Sequence, residues 1–372
     1  MDKLRAICCA ALLLALVLAS CAAQELDIAS VAVVPAGDAG KAPEDYLAVM
    51  TLEQKAGQLI LLCAHSVGSA GSAARLGAGG VCLYANAFDG KDRDGVRAMI
   101  DNLQSRAAIP LIVSVDEEGG SVCRVSSNPR LRASRFSSPR RLYAEGGWAR
   151  IESDTREKAR LLLDLGINLN LAPVCDVPLS GRDYIYSRSF GTDAALTAQY
   201  VELVVRVMGE EGIGATLKHF PGYGGSSDTH SALAVDTRKW AVFQSRDLLP
   251  FAAGIAAGAD FVMVSHNLVE GIDLLHPASL SEAVHIALRQ ELGFEGIILT
   301  DDLSMGAIEE YARGESVAVQ ALLAGNDMLC CSDFNEAVAA IVAAVEDGSV
   351  PISRVDESVL RVLRWKRAMG LI

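Results

Sequence analysis

Short, continuous runs of apolar and β-branched residues alternate along the chain with longer stretches in which apolar residues recur every three or four positions. The runs fall at 58–63, 79–84, 111–116, 169–174, 215–220, 261–266, 296–301 and 327–332. Helical periodicity covers 93–106, 151–165, 196–208, 281–292, 315–323 and 335–345, and many of these stretches are followed by a glycine suited to ending a helix. The connection 68–78 is short and glycine-rich and carries no clear helical pattern. Two further helical stretches, 44–56 and 352–369, lie outside the alternation.

Runs that are apolar throughout, rather than at every second residue, suit parallel strands covered on both faces. Eight strand-then-helix units predict a (β/α)8 barrel of the TIM type, an α/β fold. An open doubly wound sheet usually has fewer strands and a G-x-G-x-x-G turn after the first, and no such turn follows residue 63. The chain has 372 residues, enough for two ordinary domains. The barrel nevertheless takes up 44–372 as a single domain and is expected to leave no second domain after the eighth strand.

The N-terminus is composed differently. Lys3 and Arg5 precede an apolar run, 7–18, too short to span a bilayer comfortably. It ends in Leu18-Ala19-Ser20-Cys21, which resembles a bacterial lipobox. The expectation is a lipoprotein-type signal peptide over 1–20, a lipidated Cys21 and a tether over 21–43, with an ordinary signal cut near Ala22 or Ala23 as the alternative. This describes an exported lipoprotein, anchored in the periplasm or at the cell surface. The net charge of −13 argues against nucleic acid and anionic lipid as partners, so membrane attachment is expected only through the lipid. Apart from Cys8, Cys9 and Cys21, the cysteines are Cys63, Cys82, Cys123, Cys175, Cys330 and Cys331, none in a C-x-x-C spacing. Buried free thiols are the favoured reading, with a disulfide as the alternative and no metal site.

A barrel carries its active site at the C-terminal ends of its strands. There the third run ends in Asp116-Glu117-Glu118-Gly119-Gly120 with Arg124 close behind, Asp176 follows the fourth, and Lys218-His219 close the fifth. His266 ends the sixth, and Thr300-Asp301-Asp302 the seventh. Any one of these side chains can be explained as capping a helix or lying solvated at the rim; five ends meeting at one mouth are harder to explain that way. The glycine-rich loop after the fifth run leads from Lys218 through Tyr223 to Asp228-Thr229-His230. As a phosphate cradle it is weak, having no G-K-[ST]. Asp228 and His230 read either as two solvated loop residues or as a pair. In a pair, the carboxylate favours the protonated imidazole that a proton donor needs.

At this point the chain resembles glycoside hydrolase family 3, and within it the single-domain β-N-acetylhexosaminidases of the bacterial cell-wall recycling type. The resemblance runs through Asp116-Glu-Glu-Gly-Gly-Ser-Val-Cys-Arg124, Ile167-Asn-Leu-Asn-Leu-Ala-Pro-Val174, Arg188-Ser-Phe-Gly191 and Lys218-His-Phe-Pro-Gly222. It continues through Asp228-Thr-His230, Leu280-Ser281, Leu292 to Met305 and Ala324-Gly-Asn-Asp327. The resemblance implies that Asp301 is the nucleophile of a retaining exo-β-N-acetylglucosaminidase and that His230, paired with Asp228, is the acid/base. It also implies that Asp116, Arg124, Arg188, Lys218 and His219 bind the terminal sugar, with no metal or cofactor. Because side chains alternate along a strand, only one of Asp301 and Asp302 is expected to face the site. Asp176 is equally a binding or a structural residue. The chain departs from the family where Tyr223 replaces a usual second histidine, in a 219–230 stretch one residue shorter than usual, and in its export signal. Two other readings stay open: a β-N-acetylglucosaminide phosphorylase of the same fold, and a non-catalytic lipoprotein that binds amino sugars.

Overall fold

The computed structural model describes residues 41–225, 234–305, 308, 311 and 316–372. The signal peptide, Cys21, most of the tether, and Asp228 and His230 lie outside the described residues. Eight parallel strands follow the eight apolar runs: β1 Ile60–Ala64, β2 Gly80–Leu83, β3 Ile112–Val115, β4 Leu169–Asn170, β5 Gly214–Phe220, β6 Phe261–Val264, β7 Ile297–Thr300 and β8 Leu329–Cys331. Each pairs with its neighbours in sequence, and β8 returns to β1 with Leu61 opposite Cys330 and Leu62 opposite Cys331. A single bridge between Leu299 and Met328 links β7 to β8, so the sheet closes into the expected (β/α)8 barrel.

The barrel interior is a packed core rather than a channel. Leu61, Ile112, Leu169, Phe261, Ile297, Leu299 and Met328 fill it, together with Trp365 from the helix Ile352–Ala368. Trp365 meets Phe261 edge-on and donates to Asp260 Oδ1 at 2.9 Å, just before β6 begins, so it plugs the N-terminal end. Gly214 permits this plug, because a Cβ there would lie 2.7 Å from the indole. With that end sealed, access to the interior is from the opposite mouth.

The helices differ from expectation in three of the stretches named above, and one helix with no such stretch, Leu248–Ala256, lies between β5 and β6. The connection after β1 is a helix, Val67–Arg75, started by Ser66, whose hydroxyl accepts from Ser69 N at 3.0 Å. Its glycines weaken the helical pattern, and one of them, Gly71, lies where a Cβ would sit 3.1 Å from Arg106. The stretch 44–56 is two helices, Pro43–Val49 and Leu52–Gln58, because Thr51 and Gln54 form a capping box that starts the second. Gln58 therefore ends a helix rather than beginning β1. The helix at 151–165 starts earlier, spanning Pro139–Asp164 with a break at Gly146 and Gly147.

Opposite the mouth, Asp327 ties the seam together. Its carboxylate accepts from Ile298 N of β7 at 3.0 Å, from Ser358 Oγ at 2.7 Å and Arg361 Nη1 at 2.9 Å on the C-terminal helix, and from Arg289. Removing one side of a buried ion network leaves its partners uncompensated, so Asp327→Ala is expected to cost about 3–5 kcal/mol in urea unfolding. A loss below about 1 kcal/mol would mean that the arginines find water instead.

Candidate active site

At the mouth lies a pocket of about 530 Å³, lined among others by Tyr84, Asp116, Arg124, Arg188, Lys218, His219, Tyr223, Asp301 and Asp302. Sequence-predicted residues from β5, from the turns after β3 and β7 and from the loop after β4 thus come together. Lys218 Nζ stands at the centre, 2.7 Å from Asp116 Oδ1 and 2.7 Å from Glu118 Oε1. Arg188 grips Glu118 with both arms, at 3.0 and 2.6 Å. The Lys218 and Glu118 side chains are each only 2% exposed. Burial alone would push both carboxyls up, but Lys218, with Arg124 at Asp116 and Arg188 at Glu118, holds Asp116 below and Glu118 well below the carboxylate range. Burial likewise works against the Lys218 ammonium, and the two carboxylates overcome it, raising the group above its ordinary value.

Local structure explains how each group arrives. Between Lys218 and Phe220 the register of β5 against β6 slips by one residue. A bulge of this kind interrupts the strict alternation, and both Lys218 and His219 line the pocket. Asp176, fully buried, accepts from His219 Nδ1 at 2.7 Å and from Tyr223 N at 2.8 Å. Arg188 Nη2 lies 3.2 Å from His219 Nε2, so the ring is held between Asp176 and Arg188. Asp176 is accordingly an orienting residue outside the pocket lining. Tyr223 packs edge-on against His219, ring centres 5.1 Å apart.

Glu117, also fully buried, accepts from Arg124 N at 2.8 Å and Val125 N at 2.7 Å, and so shapes the turn that delivers Arg124. The Arg124 guanidinium donates to Asp116 at 3.3 Å and lies over the Tyr84 ring, while its buried Nε has no protein partner.

Asp301 and Asp302 both line the pocket, contrary to the alternation argument. The reason is that β7 ends at Thr300, so the pair belongs to the turn beyond the strand. Asp302 Oδ1 accepts from Ser304 N at 2.9 Å, and its carbonyl accepts from His266 Nε2 at 3.0 Å. His266 is fully buried and, with Ser279 at its other nitrogen, braces this turn from below. Burial would raise the Asp301 carboxyl, yet the positive field of His219, His266 and Lys218 and the Asp302 N–H hold it below its ordinary value of 3.8. Sequence reasoning assigned no role to Glu118, Tyr84 or Tyr184, which completes the lining. Glu118 was visible in its signal, a second acid at the end of a barrel strand.

A closed (β/α)8 barrel whose mouth pairs buried carboxylates with forked arginines beside a separate ionised aspartate is the frame of a sugar-cleaving hydrolase. Residues 51–365 match the family described as "Glycosyl hydrolase family 3 N terminal domain"; the chain belongs to that family and is a glycoside hydrolase. It is similar to "Beta-hexosaminidase LpqI" of Mycobacterium tuberculosis, 34% identical over 280 residues covering 72% of this chain and 71% of that protein. A "Beta-hexosaminidase" of Xylella fastidiosa is 32% identical over 316 residues, 77% of this chain and 91% of that one. Among solved structures, a family 3 beta-N-acetylglucosaminidase from Paenibacillus superposes with a TM-score of 0.81 at 32% identity over 87% of this chain, which spans 63% of that longer protein. The structure of M. tuberculosis LpqI superposes with a TM-score of 0.77 at 29% identity, over 87% of this chain and 95% of that one.

Glu118→Gln tests the network. Because the folded-state carboxyl is held well below its usual 4.5, its contribution is fully present above that pH and is lost as pH falls through the lower folded value. The variant is expected to be about 3–5 kcal/mol less stable than wild type at neutral pH. The gap should narrow on acidification below 4.5, as followed by urea unfolding across that range. A gap independent of pH would show that Glu118 acts by shape and not by charge.

Proposed function

We propose that this chain is a retaining exo-β-N-acetylglucosaminidase, removing terminal non-reducing β-linked N-acetylglucosamine from peptidoglycan fragments or chitooligosaccharides. The observation that carries the reading is Asp301: an aspartate held ionised, in the same pocket as the Asp116, Lys218, Arg188 and His219 set. The beta-hexosaminidase names of the relatives support the acetamido sugar.

In this reading Asp116 accepts from the sugar hydroxyls while Arg124, Arg188, Lys218 and His219 orient the ring. Asp301 attacks the anomeric carbon as protonated His230 gives its hydrogen to the departing glycosidic oxygen. The C–O bond breaks, and a covalent glycosyl-enzyme forms. His230 then takes a proton from water, which displaces Asp301 with a second inversion, so configuration is retained. Asp228 beside His230 sustains the protonated imidazole. Cationic histidine also spares Asp301 a second nearby carboxylate. The chain acts outside the cytoplasm as a single catalytic domain over 44–372, exported by its signal peptide and held at a membrane by lipid on Cys21. Among the described residues no helix is long and apolar enough to cross a membrane.

Hydrolysis of a chromogenic β-N-acetylglucosaminide, compared with the β-glucoside, is the direct test. Asp301→Ala is expected to lower kcat by about 10⁴-fold or more and His230→Ala by about 10²–10⁴-fold. The acidic limb of kcat/KM should lie below 3.8, since the reactive anion persists to that pH. The basic limb, set by loss of the His230 proton, should move to lower pH in Asp228→Asn. A sugar 1-phosphate formed in phosphate buffer would reassign the chain as a phosphorylase. An inert wild type that still binds N-acetylglucosamine would reassign it as a binding lipoprotein.

A further inference from the structure

Cys63 of β1, Cys82 of β2 and Cys330 of β8 reach the pocket wall from three adjacent strands. Register sets Cys63 beside Cys82 and Leu61 beside Cys330, so Cys63 stands two residues beyond the partner of Cys330. Residues two apart on a strand share a face. Both side chains therefore turn into the barrel, and their Sγ atoms lie 3.0 Å apart. That is only roughly 1 Å longer than a sulfur–sulfur bond. The other described cysteines are directed elsewhere: Cys123 Sγ to Gly120 O and Phe136 O, Cys175 Sγ to Pro173 O and Cys331 Sγ to Asp333 O, each at 3.7 Å. All six are free, buried thiols in this structure. Neither Cys63 nor Cys330 takes part in the ion network of Asp116, Glu118, Lys218 and Arg188.

We propose that Cys63 and Cys330 are joined as a disulfide across the β8–β1 seam when the chain folds in an oxidising compartment, an inference that rests on the export reading above. The bond links the first strand to the last and spans 267 residues of sequence. In forming it each thiol loses its hydrogen. Two electrons and two protons pass to a disulfide-bearing oxidant of the dithiol-exchanging class, which leaves as its dithiol. Both cysteines are nearly inaccessible once the barrel has closed, at 2% and 4% exposure, so exchange belongs to folding. In the finished fold the bond is shielded from reductants for the same reason. It fixes β8 against β1 on the pocket wall that also carries Tyr84 and Asp302. Cys82 is left as a thiol.

The full chain, secreted through an oxidising compartment, is denatured with an alkylating reagent and no reductant, then mapped by peptide mass. The expected result is a Cys63–Cys330 peptide pair lighter by two hydrogen atoms than its separate members, released on reduction, with Cys82 alkylated. In a second arm the purified, reduced chain is refolded in a glutathione redox buffer, where export plays no part. Linkage in this arm, with the chain made behind its own signal recovered unlinked from the cytoplasm, supports the pair and overturns the export reading; a secreted chain without the link overturns the proposal. Alkylation of Cys63 and Cys330 in both arms, or a link from either to Cys82, overturns the proposal. Thermal unfolding gives an independent measure: a reductant should lower the midpoint of the linked protein by about 5 °C or more. Cys63→Ser, Cys330→Ser and the double variant should share that lower midpoint and no longer respond to reductant. Separate, additive losses in the two single variants would overturn the bond.

Discussion

The buried Lys218 ammonium, held between Asp116 and Glu118, is the interaction on which the rest of the mouth depends. Taking a charge of this kind out of water costs several kcal/mol unless its partners are close and their remaining lone pairs are satisfied. Here they are: Arg188 saturates Glu118 from the far side, and Arg124 takes the second oxygen of Asp116. The network therefore joins β5, the turn after β3 and the segment after β4 through charge, where short barrel strands provide few backbone bonds. It gives the pocket a set of donors and acceptors whose directions are fixed before any ligand arrives, and prior fixing of this sort is what makes polar recognition effective.

The carboxylates divide by what their oxygens are doing. Glu117 spends its acceptors on backbone N–H groups, Asp176 on His219 and Tyr223 N, and Asp327 on arginines at the sealed end. All three are almost entirely buried and shape the backbone rather than touch solvent. Asp116 lies between the two classes, bound by Lys218 and Arg124 and still lining the pocket. A view of the mouth that counted acids would assign too many of them to chemistry.

The same distinction explains what could be read from the chain. The eight strands were legible because strands covered on both faces must be apolar at every position, a pattern that few other structures share. The helix Val67–Arg75 was not, since its buried positions are Ala70, Gly71, Ala73 and Ala74, with no large apolar residue to mark a face. Asp116, Arg124, Arg188, Lys218, His219 and Asp301 were legible from their place at strand ends and from their motifs, and the structure brings these six into one pocket. The expectation that only one of Asp301 and Asp302 faces the pocket failed because it extended strand geometry past Thr300. Glu118 was passed over because its importance is relational. Its role exists only once Arg188, 70 residues away, and Lys218 have been folded against it.

How a carboxylate is held ionised decides whether it can act. Glu118 is ionised because an arginine and a lysine bond both its oxygens, which leaves little electron density to share with carbon. Asp301 reaches the same charge state by another route. Its bond from Asp302 N occupies Oδ1 alone, and the rest of its stabilisation is the field of His219, His266 and Lys218 acting through space. A field lowers the proton affinity of a carboxylate without occupying its lone pairs. Within one pocket, then, Lys218 clamps Asp116 and Glu118 by direct contact and acts on Asp301 from a distance; in the function proposed above, this leaves Asp301 an oxygen available for the anomeric carbon.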